Sequence, residues 1–283
     1  MARPSHPAQR ESVESQSSAS TIAPKPPKTD STGDSIAPRF VSNPLCTDTS
    51  TPFSKDTCVA ELERVYPDFA SVNKVVSANE KWQDTVEALG RFEKYIQDNP
   101  SSFARSQEAV VQYAMLFSKD FKAANMNILK AAFSIARTVI ASCNAGPRAC
   151  QPVILAALAK IHDKKLGSEL FALLSVIAEK IGPDAVVAQL NEGMAKSRVP
   201  AQQKAVLQYL RQLVEEFGAT SLSLKPLLAY VMSPLGLKNT HVDVKNSATA
   251  VLCALYRQLG DTVREMVSSS ELGDLLKKAV LES

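Results

Sequence analysis

From about Thr57 onward, apolar residues recur along this chain at steps of three and four, the period that places them on one face of a helix. Between Pro200 and Phe217 the set is Val206, Leu207, Leu210, Leu213, Val214 and Phe217; between Val244 and Leu259 it is Val244, Ala248, Val251, Leu252, Leu255 and Leu259. Each of these helices follows a partner. Pro183 to Ala195 carries Val186, Val187, Leu190 and Met194, and Ser221 to Leu235 carries Leu222, Leu227, Leu228, Val231 and Leu235. Earlier, Phe103 to Phe117 pairs with Asn125 to Cys143, and Pro147 to Ile161 with Leu166 to Ile181. The helix from Leu166 is apolar almost all round, which suits an inner element in the middle of a stack. Trp82 to Ile96 carries Val86, Leu89, Phe92 and Ile96, and its partner, broken near Pro67, is expected over Asp68 to Ser77. The last segment, Asp261 to Leu281, is short and charged, as an end cap should be.

The punctuation between segments is regular. Gly146, Gly182, Gly218 and Gly260 each follow an apolar segment, at spacings of 36, 36 and 42 residues, and Pro147 and Pro183 come directly after two of them. Glycine ends a helix in the left-handed conformation without steric cost, and proline fits the first turn of the next, where its missing N–H has no partner to lose. Helix pairs repeating at this length predict an all-α fold: an α-solenoid of about six HEAT-like pairs whose work is to present a surface.

Composition sets the first 56 residues apart. They contain 11 Ser, 6 Thr and 8 Pro, 25 of 56 positions, with six basic residues balancing six acidic ones. Such a segment cannot bury enough apolar surface to offset its conformational entropy, so residues 1–56 are expected to be a disordered linker and residues 57–283 the folded domain. The basic, proline-containing run Ala23 to Lys28 reads as part of that linker. The five cysteines are odd in number and form no C-x-x-C pair, which predicts reduced, mostly buried thiols in a cytosolic protein. No run of about 18 apolar residues exists to span a membrane, and the N-terminus lacks the apolar run of a secretory signal.

Charge distinguishes the turns inside the repeats, expected around 79–83, 118–127, 162–167, 195–200 and 237–246. The last four hold eight basic residues (Lys119, Lys122, Lys164, Lys165, Lys196, Arg198, Lys238, Lys245) and three acidic ones (Asp120, Asp163, Asp243), a net +5 against +3 for the whole chain. A solenoid of helix pairs lines such turns along one edge, so that edge is predicted to be basic and to favour an acidic partner. The first turn differs: it holds Trp82, the only tryptophan, within the polar run Ala78 to Asp84. Polar flanks favour an exposed anchor, and large amphipathic rings dominate interface hot spots.

With these features in place the chain resembles the TOG domains, tubulin-binding modules of the TOG-array microtubule polymerases, and most of all a third domain of such an array. The resemblance covers about residues 66–281. It rests on Trp82 at the first turn, Phe121-Lys122 with Asn125 at the second, Lys160-Ile161 with Asp163, Lys165 and Gly167 at the third, Glu216-Phe217-Gly218 closing the fourth pair, and Val244-Lys245 followed by Ala248 and Leu252 at the fifth. The resemblance implies a flat paddle that holds αβ-tubulin or the microtubule lattice along its turn edge. Trp82, Lys122, Asn125, Lys165, Arg198 and Lys245 would make the contacts. It also implies a cytoplasmic, cytoskeletal location at microtubules, the spindle and the microtubule-organising centre. The isolated domain is expected to be a monomer. The chain departs from the family pattern at Lys81, where Asp is common, at Gln83 to Thr85, which lack the usual basic pair, and at His241, where Asn is usual.

No catalytic, cofactor or metal site is expected. There are three histidines (His6, His162, His241), no P-loop, no G-x-S-x-G and no H-E-x-x-H. Two other readings stay open: a HEAT adaptor holding another acidic protein or an extended peptide in its groove, and a nucleic-acid binder. Of aromatics interleaved with the lysines, only Phe121 supports the second. Neither nucleic acid nor membrane is the expected partner.

Overall fold

In the computed structural model the chain divides into a segment Met1–Ser50 and a compact unit Thr51–Ser283. The structure describes residues 55–268 apart from 79–80 and 106–107, so the expected linker lies outside the described residues except for its last two positions. Those two already belong to the first helix, α1 (Lys55–Val65). There follow α2 (Phe69–Ala78), α3 (Trp82–Asp98), α4 (Pro100–Phe103), α5 (Glu108–Leu116), α6 (Met126–Ser142), α7 (Pro147–Lys160), α8 (Gly167–Ile181), α9 (Pro183–Met194), α10 (Pro200–Phe217), α11 (Leu224–Val231), α12 (Val242–Leu259) and α13 (Asp261–Ser268). Short 3-10 turns at Asp120–Lys122 and Ala219–Ser221 complete the description, and no strand occurs among the described residues.

The helices stack in two layers, as the alternating pattern requires. One layer runs α1, α5, α7, α9, α11, the other α3, α6, α8, α10, α12, and α2 pairs with α3 at the N-terminal end. A single apolar core threads through both. Its N-terminal third is aromatic: Tyr66, Phe69, Phe92, Phe103, Tyr113, Phe117, Phe121 and Phe133 form a continuous chain of ring contacts with centroids 4.7–6.3 Å apart. From α7 onward the core is mostly Leu, Ile, Val and Ala, with Tyr209 and Tyr230 its only buried rings among the described residues. Large rings fill the irregular first repeats, where helices are short, while branched aliphatics suit the regular ridges that follow.

Several boundaries move from their predicted places. The helix expected over Phe103 to Phe117 is divided: α4 ends at Phe103 and α5 starts at Glu108. The helix expected over Ser221 to Leu235 contracts to Leu224–Val231. Pro234 lies just beyond it, and the chain folds back so that the Leu237 N–H donates to the Val231 carbonyl at 2.8 Å. The return needs Gly236, since an added Cβ would come 2.0 Å from the Val231 oxygen. Helix α1 is an element that the periodicity does not single out, because Cys58, Leu62 and Tyr66 supply its buried face among charged neighbours.

The glycines divide into two kinds. Gly182, Gly218 and Gly260 follow α8, α10 and α12 with φ of 88°, 80° and 54°. Their ψ values of 144°, 146° and −124° are not those of a left-handed helical cap; they lie in positive-φ space that only glycine occupies readily. Gly146 has φ −86°: it opens α7 rather than closing α6, which ends at Ser142. Proline stands in the first turn of α4, α7, α9 and α10, as predicted for the last three.

A Cβ at Gly182 would meet nothing within 4 Å, so the cost of Gly182→Ala is conformational alone, about 1–2 kcal/mol, or roughly 3–6 °C in Tm. Gly90, exposed in the middle of α3 with equal room, should show the opposite sign: Gly90→Ala gains about 0.5–1 kcal/mol. Thermal unfolding of the two variants checks both.

Candidate functional site

A helix end leaves backbone groups without partners inside the helix, and along the edge where the intra-repeat turns lie these groups are satisfied by the neighbouring repeat. Lys119, after α5, donates through Nζ to the carbonyl of Val76 in the last turn of α2, which ties the second turn to the first. From the third turn to the fifth the connection is continuous. The Leu158 carbonyl accepts from Gln202 Nε2 (2.8 Å), and Gln202 Oε1 accepts from Ser197 Oγ (2.6 Å). The Ser197 carbonyl accepts from Gln203 Nε2 (3.1 Å), and Gln203 Oε1 from Asn239 Nδ2 (2.9 Å). Asn239 Oδ1 then accepts the N–H of His241, the residue that caps α12 (2.9 Å). Gln203 and Asn239 are buried and fully paired, so this network fixes the register of three turns.

The six residues singled out in the sequence all lie at the starts of second-layer helices or in the turns before them. Trp82 is the first residue of α3 and is 40% exposed. Lys122 ends the 3-10 turn and is exposed. Asn125 is half-buried and caps α6, its Oδ1 accepting the Asn127 N–H at 2.9 Å. Lys165 and Arg198 are exposed, Lys165 just before α8 and Arg198 just before the residue that caps α10. Lys245 is half-buried in the first turn of α12. No hydrogen bond joins any two of the six, but the hydrogen-bond chain places the turns of Lys165, Arg198 and Lys245 in series. Phe121 points into the core against Tyr113 and Phe133, which removes the one aromatic interleaved with the lysines.

The acidic residues of these turns are engaged internally. Asp163 Oδ1 accepts the Lys165 N–H (2.8 Å). Asp243 pairs with Lys204 across α10 and α12 (2.8 Å), and that hydrogen bond and charge hold its carboxyl below the usual range. Asp120 is buried, with Oδ2 unpaired; burial pushes its carboxyl up to about 6 against a smaller opposing effect of Lys119. By contrast Lys122, Lys164, Lys165, Lys196, Arg198, Lys238 and Lys245 form no ion pair among the described residues. These seven cations are therefore left to meet a partner's charges.

Beside the third, fourth and fifth turns lies a groove of about 950 Å³, between the starts of α8, α10 and α12. It exists because α8 and α10 pack lightly, meeting through the Phe171–Tyr209 ring pair (5.5 Å) and the Ser175–Glu216 hydrogen bond (2.7 Å). Phe171 and Val176 stay half-buried as a result, so α8 is less enclosed than its apolar sequence predicts. His162 and His241, far apart in the sequence, both line this groove. Sequence reading misses the Gln202, Gln203 and Asn239 network. Its signal is a glutamine, Gln203, on the apolar stripe of Leu207 and Leu210. Among the described residues no cluster of three or more His, Cys, Asp or Glu could hold a metal. Cys143 and Cys150 are buried, and burial pushes their thiols up to about 12 and about 11.

A family model described as XMAP215/Dis1/CLASP, TOG domain, matches residues 70–281. The centrosomal protein 224 of Dictyostelium discoideum is 27% identical over 214 residues, covering 71% of this chain and 10% of that protein. The protein MOR1 of Oryza sativa subsp. japonica is 19% identical over 188 residues, 66% of this chain and 9% of that protein. The chain thus spans about a tenth of the length of these relatives. Among solved structures, Drosophila melanogaster Mini spindles TOG3 superposes with a TM-score of 0.64 at 21% identity, over 75% of this chain and 90% of that one. A TOG domain of crescerin gives 0.61 at 18% identity, over 75% and 88%.

The raised Asp120 carboxyl has a defined sign. A group protonated more readily in the folded state stabilises it most below its unfolded value near 4, and that stabilisation is lost as pH rises through about 6. Asp120→Asn should therefore raise Tm at pH 7.5, by up to about 3 kcal/mol in stability, and the gain should vanish near pH 4. Thermal melts of both proteins across that range test it.

Proposed function

The chain belongs to the XMAP215/Dis1/CLASP TOG-domain family, and on that premise we propose that it is a non-catalytic module of a microtubule assembly factor, binding αβ-tubulin through the edge of its intra-repeat turns. The observation that carries this reading is the disposition of charge: seven cations on that edge have no internal ion-pair partner while the three acids among them are engaged or buried. A surface of this kind suits the acidic exterior of a protein partner. Trp82 supplies the apolar anchor at the N-terminal end, and Lys122, Asn125, Lys165, Arg198 and Lys245 continue the footprint. The folded module is proposed to occupy residues 57–283, to act as a monomer and to work at cytoplasmic microtubules. Neither nucleic acid nor membrane is part of the reading.

Two measurements test it. Reversing Lys165 and Lys245 together to glutamate should weaken tubulin binding and flatten its dependence on salt, because exposed charges are screened over about 8 Å at physiological ionic strength. The fold should change by less than about 0.5 kcal/mol per site, since the new carboxylate at the second position falls in the first turn of α12, where the helix dipole favours it. Equal affinity of the variant and the wild type would count against the turn edge and favour the adaptor reading.

Trp82→Ala should cost about 2 kcal/mol or more of tubulin affinity, roughly thirtyfold, with little change in Tm, since the ring is substantially exposed. A variant that melts early, in the manner of a core truncation losing about 3–5 kcal/mol, would take Trp82 out of the binding site. Affinity and thermal unfolding measured on the same preparation separate the two.

A further inference from the structure

The most exposed large apolar side chains among the described residues are Trp82, Met115, Leu155, Val199, Val242 and Met266. Isolated apolar residues on a surface are ordinary, but three of these occupy one kind of position. Trp82 is the first residue of α3, Val199 the residue capping α10 and Val242 the first residue of α12, so all three stand at the starts of second-layer helices on the turn edge.

Neither valine serves the start of its helix through a side-chain cap or burial in the core. Valine is among the poorest residues at a helix cap because it offers no oxygen to the first free N–H groups, and Val199 makes no side-chain cap for α10. Val242 is 68% exposed and branched at Cβ, a weak helix former in a position where packing does not decide. The start of α12 is held instead through Asn239, which accepts the His241 N–H. Each valine also lies close to unpaired cations: Arg198 precedes Val199, and Val242 shares the groove rim with Lys164.

Resting on the tubulin reading above, we propose that Val199 and Val242 are apolar contact residues of the same edge. They extend the apolar part of the footprint from Trp82 at one end to the fourth and fifth turns at the other, so that cations supply attraction and the valines supply desolvated contact. The occupant is the tubulin surface that faces these turns, and the pairing of exposed valines with unpaired cations requires of it apolar side chains beside carboxylates. The groove floor of Phe171, Ala205 and Val244 is continuous with Val242 and gives such a side chain room to enter.

The experiment compares Val199→Ser and Val242→Ser with the wild-type chain for tubulin affinity at two salt concentrations and for Tm. Each variant should bind about fivefold more weakly, the loss of a partly buried valine contact, by the same factor at both salt concentrations. At the same time Val199→Ser should raise Tm by about 2 °C or more, because serine supplies the missing cap. Weaker binding in a more stable protein cannot come from damage to the fold. Wild-type affinity in both variants would overturn this inference and leave the tubulin reading intact. A lowered Tm accompanying the loss would overturn it in favour of a structural role. Absence of tubulin binding by the wild-type chain would overturn the reading on which it rests.

Discussion

Every helix in this stack has to end, and each end leaves carbonyls or N–H groups that cannot be paired within the helix itself. The repeats solve this for one another. Lys119 serves the end of α2, Gln202 the end of α7, and Gln258 both donates to the Val214 carbonyl of α10 and accepts the N–H of Ala219 beyond it. At the same edge as Gln258, Asp184 accepts from the N–H and hydroxyl of Ser223, both at 2.6 Å. The relative position of successive turns therefore follows from the need to satisfy backbone groups in the neighbouring repeat. A surface made of turns acquires the rigidity of the helices behind it.

Much of this was legible in the chain. The stripes from Pro200 and Val244 and the Pro-containing starts of α7, α9 and α10 fall where the structure has them, because three-residue and four-residue steps follow directly from helix geometry. What failed to be legible depends on contacts between distant segments. The division of the expected Phe103 to Phe117 helix accompanies rings from α2, α3 and α5 meeting around Phe92 and Phe117, and the shortness of α11 depends on a return of the chain onto Val231. Helix α1 hides because only Cys58 and Leu62 within it, with Tyr66 just past its end, make its buried face. Gly146 shares its spacing with Gly182 but not its backbone conformation, which no repeat length can specify.

The edge was legible as a pattern of charge and less so as chemistry. Sequence counting weighs Asp120, Asp163 and Asp243 equally against the lysines, yet Asp120 is buried, Asp163 accepts a backbone N–H and Asp243 pairs with Lys204. Lys119, counted among the outward cations, turns back to a carbonyl. Asn125 is at once a candidate contact and the cap of α6, so its amide oxygen is committed to the helix. Gln203 interrupts an apolar stripe and is the link between two turns. Polar residues on a buried face are the places where a pattern-based reading should expect a partner from another repeat.

The light packing between α8 and α10 has a mechanical consequence. Elsewhere in the second layer helices meet along most of their length, but at this joint the face is slack while the edge is held by the Leu158–Gln202 hydrogen bond. A beam built this way has its compliance concentrated at one place, and it flexes about the held side. Bending at that joint would open or close the slack face while leaving the spacing of the turns along the held edge unchanged. The stack is thus a row of turns at set spacing, carried on a body that can yield behind them at one place.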